Sequence, residues 1–206
     1  MRPRFRLFQS HLDLAHTYWK QLLSPGDLVV DATCGNGYDS LILAQLILQN
    51  DTGYLYGMDT QDSAIAATRA RLTKHLPEAL LKRVGFACQS HEQFPMEISP
   101  ASVQLIVYNL GYLPGGDKTR TTRVESTLTS LNQAITLIQP GGCISITAYP
   151  GHPEGKQEKQ AVLTFVAQLD PQRWSCCHHS WCNRKEAPEL FFLQLSYEEI
   201  QPTTRL

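Results

Sequence analysis

The chain has 206 residues, 42% hydrophobic and 18% charged, which supplies one buried core and excludes the disordered class. With 18 Lys and Arg against 19 Asp and Glu the formal net charge is −1, so no global field draws the protein onto a polyanion. No apolar stretch is long enough to span a bilayer, and "MRPRFRLFQSHLDLAH" lacks the apolar centre of a secretory signal, so a cytoplasmic enzyme without membrane contact is expected.

Residues 1–206 read as one domain, with 1–24 as an N-terminal arm and a helix that packs on the core. In "HLDLAHTYWKQLL", Leu12, Ala15, Trp19, Leu22 and Leu23 recur at helical spacing until "SPGD" ends the pattern. Strand and helix then alternate. "DLVVDAT" is predicted as a strand, "YDSLILAQLILQN" as a helix and "GYLYGMD" as a strand. "SAIAATRARLTKHL" follows as a helix with Asp62 or Ser63 as N-cap. "VGFACQ" and "VQLIVYNL" are the third and fourth strands, "TLTSLNQAITLI" a helix, "GCISITAYP" the fifth strand and "GKQEKQAVLTFVAQL" a helix. "WSCCHHSWCN" and "ELFFLQLSYEEI" close the chain as two consecutive strands joined by the short link "RKEAPE".

This rhythm predicts an α/β fold: a mixed seven-stranded sheet, mainly parallel, with an antiparallel strand near one edge and helices on both faces. The apolar face of Leu131, Ile135 and Ile138 fits either the core or an interface, and a homodimer stays open. The six cysteines lie in unlike segments and read as reduced thiols. "CCHHSWC" is a single segment whose alternate residues point to opposite faces, so a mixed-polarity strand is favoured over a metal site, and no metal is expected.

In such a sheet, ligands sit beyond the carboxyl ends of the strands, where the first strand-to-helix turn comes close to them. "CGNGYDS" occupies that turn. Gly35 and Gly37 let the backbone approach a ligand, and the helix behind them offers free N–H groups. A tight turn with no ligand would look the same. Asp59, closing the second strand, stands where an acid meets ribose hydroxyls. Asp31, ahead of the glycines, is placed to accept from a cationic amine, directly or through water. The dinucleotide pattern fails at its third glycine, which is Ser40, and this counts against an NAD-linked oxidoreductase. An acid before the turn suits S-adenosylmethionine as cofactor. "DATCGNG" resembles motif I of class I methyltransferases, with Thr33 in the first glycine place.

That resemblance implies a Rossmann-like sheet. It assigns cofactor contacts to Cys34, Gly35, Asn36, Gly37 and Asp39 in the turn, with Asp31 before it. Asp59 and Gln61 follow at the second strand, and Ser90 and His91 of "QSHEQF" beside the adenine. A solvent-facing histidine is the plainer alternative for His91. After the fourth strand, "YNLGYLPGGDK" keeps the Asn and the aromatic of the Asn/Asp-Pro-Pro-aromatic motif of amine-modifying members, without its prolines. An amide oxygen there can accept from a neutral N–H nucleophile and aim its lone pair, which makes Asn109 the candidate positioner, with Tyr112 beside it. An Asn that merely closes a strand is the alternative. In "AYPGHPEGKQE", His152 is placed to take a proton from the amine, although turn chemistry accounts for much of that segment.

"DATCGNGYDS", "NLGYLPGGDK", "YPGHPEGK" and "NRKEAPELF", in this order, closely resemble the family long labelled rRNA methylases, whose members are assigned as tRNA 5-(aminomethyl)-2-thiouridine methyltransferases. The resemblance runs from about Leu12 to Leu195 and implies methylation of the aminomethyl nitrogen on the wobble uridine of tRNA. Under it, Lys118, Arg120 and Arg123 of "GGDKTRTTR" would meet phosphates of the anticodon stem-loop, with Arg184 and Lys185 extending the basic face, while Tyr112 or Tyr149 stacks on the base. A buried aromatic is the alternative for either tyrosine, and solvated surface for each basic group, Arg2, Arg4 and Arg6 included. An rRNA base, a small amine or a protein as acceptor, and a non-catalytic module on the same fold, are the competing readings.

Overall fold

The computed structural model describes residues 10–49, 52–111 and 121–197. Among them, β1 (Leu28–Asp31), β2 (Tyr54–Asp59), β3 (Val84–Cys88), β4 (Val103–Leu110), β5 (Ile138–Ala148), β6 (Trp174–His179) and β7 (Glu189–Leu195) form one sheet. Their spatial order is β3-β2-β1-β4-β5-β7-β6. Every pair from β3 to β5 is parallel, whereas β7 runs antiparallel to both β5 and β6. The reversed strand therefore sits one in from the edge, as the two consecutive terminal strands imply. Chain order turns back between β1 and β4, and this switch point opens a crevice at the carboxyl ends of the strands.

Side-chain alternation builds a core on each face of the sheet. Along β4, Leu105 and Val107 pack with Ala15 and Trp19 of α1 (His11–Leu22), with Leu43 and Ile47 of α2 (Tyr38–Ile47) and with Leu72 of α3 (Asp62–His75). Ile106 and Tyr108 point the other way, to Leu131 and Ala134 of α5 (Val124–Leu137) and Val162 of α6 (Pro153–Ala167). By the same parity Asn109 belongs with Leu105 and Val107, on the side of α1 and α2. The N-terminal helix is fixed at both ends. Ser10 and Asp13 form a capping box, and the buried Trp19 donates from Nε1 to Ser145 Oγ of β5 at 3.0 Å.

Several boundaries differ from the sequence reading. The N-cap of α3 is Gln61, not Asp62 or Ser63, because Asp59 Oδ1 accepts the Gln61 N–H at 3.0 Å and sets the turn one residue earlier. Asp62 becomes the first helical residue, where its charge meets the positive end of the helix. β5 begins at Ile138, directly after α5, because Ile138 already pairs with Val103. A short helix, α4 (Glu78–Leu81), was not anticipated. Leu131 and Ile138 are buried and Ile135 packs against them, so that apolar face is spent on the core.

In β6, Cys177 Sγ lies 3.3 Å from His179 Nε2 on one face. His178 stacks flat on Phe191 on the other, with its Nε2 2.7 Å from Glu189 Oε2. All six cysteines are free thiols. Among the described residues no helix is long and apolar enough to cross a membrane.

Candidate active site

The turn after β1 is held from three sides. Cys34 N–H donates to Met58 O at 2.8 Å, which docks the turn on β2. Gly35 N–H donates to Asp59 Oδ2 at 3.0 Å, so one carboxylate gathers both this turn and the Gln61 turn beside it. From α3, Thr68 Oγ1 donates to Gly35 O at 2.9 Å and Arg71 Nε to Asn36 O at 2.7 Å. Gly35 (φ +51°) and Gly37 (φ +74°) both occupy left-handed backbone, which explains the residue type at each position. Cys34 is buried and its thiol is pushed well above its ordinary range by desolvation, so it packs rather than reacts.

Asp31 departs from its expected role. It is fully buried, accepts from Ser40 Oγ at 2.5 Å and from Thr33 N–H, and does not reach the cleft wall. It ties β1 to α2, and Ser40, the residue that breaks the dinucleotide pattern, is its partner. Burial, with lesser contributions from Asp39 and Asp59, raises the Asp31 carboxyl from 3.8 to about 7. Between about pH 4 and pH 7 the folded state keeps a proton that the unfolded chain has released, so this group's contribution to stability falls as pH rises through that window. Asp31→Asn is therefore expected to flatten the pH dependence of the melting temperature over that range and to melt above the parent at neutral pH. Parallel melting curves for the two proteins would contradict this.

A cleft of about 870 Å³ opens at the switch point. Cys34, Gly35, Asn36 and Asp39 form its floor, Asp59 and Gln61 one wall, and Ser90 and His91 the next. Gly37 lies behind, as the left-handed N-cap of α2. Ser90 Oγ donates to Glu92 Oε2 at 2.9 Å, which folds the segment after β3 on itself. His91 is only 5% exposed and its ring meets Tyr108 edge-on. Desolvation lowers its pKa to about 4, so the ring is neutral at physiological pH. Its Nδ1 is buried and has no hydrogen-bond partner among the described residues, a polar atom on the cleft wall that a ligand would satisfy.

At the end of β4, Asn109 is held twice. Its N–H donates to Thr33 Oγ1 at 2.7 Å, and its Nδ2 donates to Asp39 Oδ2 at 2.8 Å. The other oxygen of Asp39 lies 2.8 Å from His16 Nε2 of α1. In the sequence alone, Thr33 is a bare departure from glycine and His16 carries no assigned role. Here the Thr33 hydroxyl replaces the strand ladder, which ends at the Asp31–Val107 pair. The departure from glycine was itself the available signal.

Beyond β5, Tyr149 lines the cleft, its hydroxyl 3.2 Å from His11 Nε2 and its ring edge-on to that imidazole. His152 caps α6, its Nδ1 accepting the Gly155 N–H at 3.1 Å. The same Nδ1 lies 3.3 Å from Glu154 Oε2, so this nitrogen faces both a donor and an acceptor at the start of α6. The buried Glu158 accepts from Thr122 Oγ1 at 2.7 Å and Thr127 Oγ1 at 2.6 Å. Thr122 Oγ1 in turn accepts the Gly111 N–H at 2.8 Å, and this joins the two ends of the segment that contains "GYLPGGDKTR". Arg123 lines the cleft, and Arg184, stacked over Trp181 at 4.0 Å, and Lys185 are exposed beside the rim residue Glu186. Tyr112, Lys118 and Arg120 lie outside the described residues.

A mainly parallel sheet in this order, with a glycine turn, an acid closing β2 and an Asn closing β4 around one cleft, defines a class I methyltransferase. Residues 55–194 match the family model described as "Putative rRNA methylase". The chain belongs to that family. It is 38% identical over 186 residues, 88% of this chain and 68% of the relative, to the chloroplastic "tRNA (mnm(5)s(2)U34)-methyltransferase" of Arabidopsis thaliana. Among solved structures, the Clostridium thermocellum protein described as a "putative rRNA-methylase" superposes with a TM-score of 0.84 at 35% identity, over 91% of this chain and 98% of its own. A Streptococcus mutans "putative methyltransferase" in complex with SAH gives 0.79 at 27% identity, over 91% and 99%.

Proposed function

We propose that the protein transfers a methyl group from S-adenosylmethionine to the aminomethyl nitrogen of 5-aminomethyl-(2-thio)uridine at the wobble position of tRNA, in the cytoplasm. The observation that carries the reaction type is Asn109: with Nδ2 committed to Asp39, the amide presents its oxygen as an acceptor at the end of β4. Support for the acceptor comes from the relative named for mnm(5)s(2)U34 of tRNA.

The residues present fit the cofactor. Asp59 can accept ribose hydroxyls beside Gln61, and the unpartnered Nδ1 of His91 can meet the adenine edge next to Ser90. Gly35, Asn36 and Asp39 line the floor where the amino-acid portion would lie. When bound, S-adenosylmethionine supplies an electrophilic methyl group on a sulfonium. The chain's own residues handle the acceptor. Asn109 accepts from the neutral amine and directs its lone pair, and Tyr149 offers an aromatic face to the base. Arg123, Arg184 and Lys185, with Lys118 and Arg120, contact phosphates of the anticodon stem-loop.

Nucleoside mass spectrometry of tRNA bearing the aminomethyl nucleoside is expected to show a gain of one methyl group after incubation. An unchanged nucleoside with cofactor-loaded enzyme rejects this acceptor. Binding of the tRNA is expected to weaken by about 10- to 10²-fold between roughly 50 and 200 mM salt, as a few phosphate contacts require. Salt-insensitive binding would remove the basic face from the interface. A homodimer, if formed, uses a surface other than the Leu131 face, and light scattering decides its presence.

A further inference from the structure

The two ends of an amide side chain are nearly the same size but opposite in function. If Asn109 turned by half a rotation, it would present NH2 to an amine that needs an acceptor and to a donor group that carries positive charge. Something must select one orientation. Thr33 fixes only the backbone of Asn109 and cannot make that choice.

We infer that Asp39, braced by His16, is the positioning residue that locks the Asn109 amide with Oδ1 toward the nucleophile. Three contacts carry this, and it rests on the amine-methylation reading above. Asp39 Oδ2 receives Nδ2 of Asn109 at 2.8 Å. A carboxylate only accepts, so a turned amide would set oxygen against oxygen and lose a charge-assisted bond. Asp39 Oδ1 lies 2.8 Å from His16 Nε2, so the carboxylate cannot swing away without breaking a second contact. Both side chains are largely shielded, 18% exposed for His16 and 12% for Asp39. His16 is steadied in turn by the ring of Trp19, 4.9 Å away between centroids, and Trp19 is anchored on Ser145. Among the described residues no hydrogen bond is shown to Asn109 Oδ1, and Asn109 lines the cleft. The first helix thus belongs to the reaction machinery as well as to the core. The same short segment that shapes the cofactor turn also orients the acceptor's partner.

The test uses the full chain and two readouts. In 15N spectra, with the Asn109 side-chain amide assigned by its disappearance in N109D, the amide protons are expected to shift and to exchange about tenfold faster in D39N. No change in that resonance overturns the inference, whatever the substrate. In kinetics with the aminomethyl tRNA at saturating cofactor, D39N is expected to lower kcat by about 10²-fold. The double variant D39N/N109D is expected to regain about tenfold over D39N, because the carboxylate introduced at the end of β4 accepts from the new amide and keeps an oxygen for the amine. A D39N enzyme with normal kcat, or a double variant no better than D39N, overturns it. Should D39N fail to fold, His16→Asn decides: about a tenfold loss in kcat supports the inference and parity with the parent refutes it. A parent enzyme silent on this tRNA counts against the proposed acceptor alone, and the spectral arm still decides on Asp39.

Discussion

Turnover is expected to fall by about 10²- to 10³-fold when Asn109 is replaced by alanine, with S-adenosylmethionine affinity held within about threefold. Alanine removes the acceptor oxygen at the end of β4 and leaves the Thr33 hydroxyl bonded to the backbone N–H, so the strand end keeps its place. Asp39 loses one donor but keeps its contact with His16, so the stability cost is about 1 kcal/mol and the protein stays folded. Loss of kcat without loss of cofactor therefore separates aiming the nucleophile from holding the donor. Asn109→Asp keeps the oxygens yet sets a second carboxylate where Asp39 now receives a donor, and is expected to be comparably slow. The measurement is single-turnover methylation alongside calorimetric titration of cofactor. Normal turnover in the alanine variant would shift the acceptor role to the carbonyls beside it.

Much of the fold follows from periodicity. "VQLIVYNL" alternates toward two covered faces, and its bounds in the structure are those of the predicted strand. The paired terminal strands forced one reversed neighbour in an otherwise parallel sheet. Boundaries failed where a side chain outside the element decided them. The start of α3 is set by Asp59 reaching past Thr60 to the Gln61 N–H, and the start of β5 by pairing with Val103. Local propensity sees neither partner.

The placement of the glycine turn and strand ends around one cleft was readable because it depends on backbone and on strand order: Gly35 and Gly37, Asp59, then Asn109. The hydrogen-bonded array behind Asn109 was not. Parity along β4 already places Asn109 with Leu105 and Val107, but nothing local says that His16, 93 residues earlier in sequence, closes the same hydrogen-bonded array. Asp31 shows the opposite failure. It has the right chemistry at the right strand end, yet Ser40 and the Thr33 N–H already take up its carboxylate oxygens. Counting functional groups at a rim does not reveal which lone pairs are already committed.

Gly37→Ala is expected to destabilise the protein by about 2–4 kcal/mol, a strained backbone added to an overpacked contact. At φ +74° an added Cβ would lie 2.7 Å from Thr68 Cα and 2.9 Å from Thr68 Oγ1. The first of these is backbone of α3 and cannot rotate away. Relief requires α2 and α3 to separate, and that movement breaks the bond by which Thr68 Oγ1 holds Gly35 O. The damage therefore spreads to the cofactor turn, and affinity for S-adenosylmethionine is expected to drop by more than about tenfold together with a melting temperature lower by on the order of 10 °C. Gly151→Ala is the matched comparison for stability: the nearest heavy atom to its added Cβ is Glu186 O at 3.9 Å, ordinary contact distance. Its melting temperature should stay within about 2 °C of the parent. Equal shifts in the two variants would mean that the α2–α3 junction yields freely, and that the cradle is not held rigid by the packing of Gly37 on Thr68.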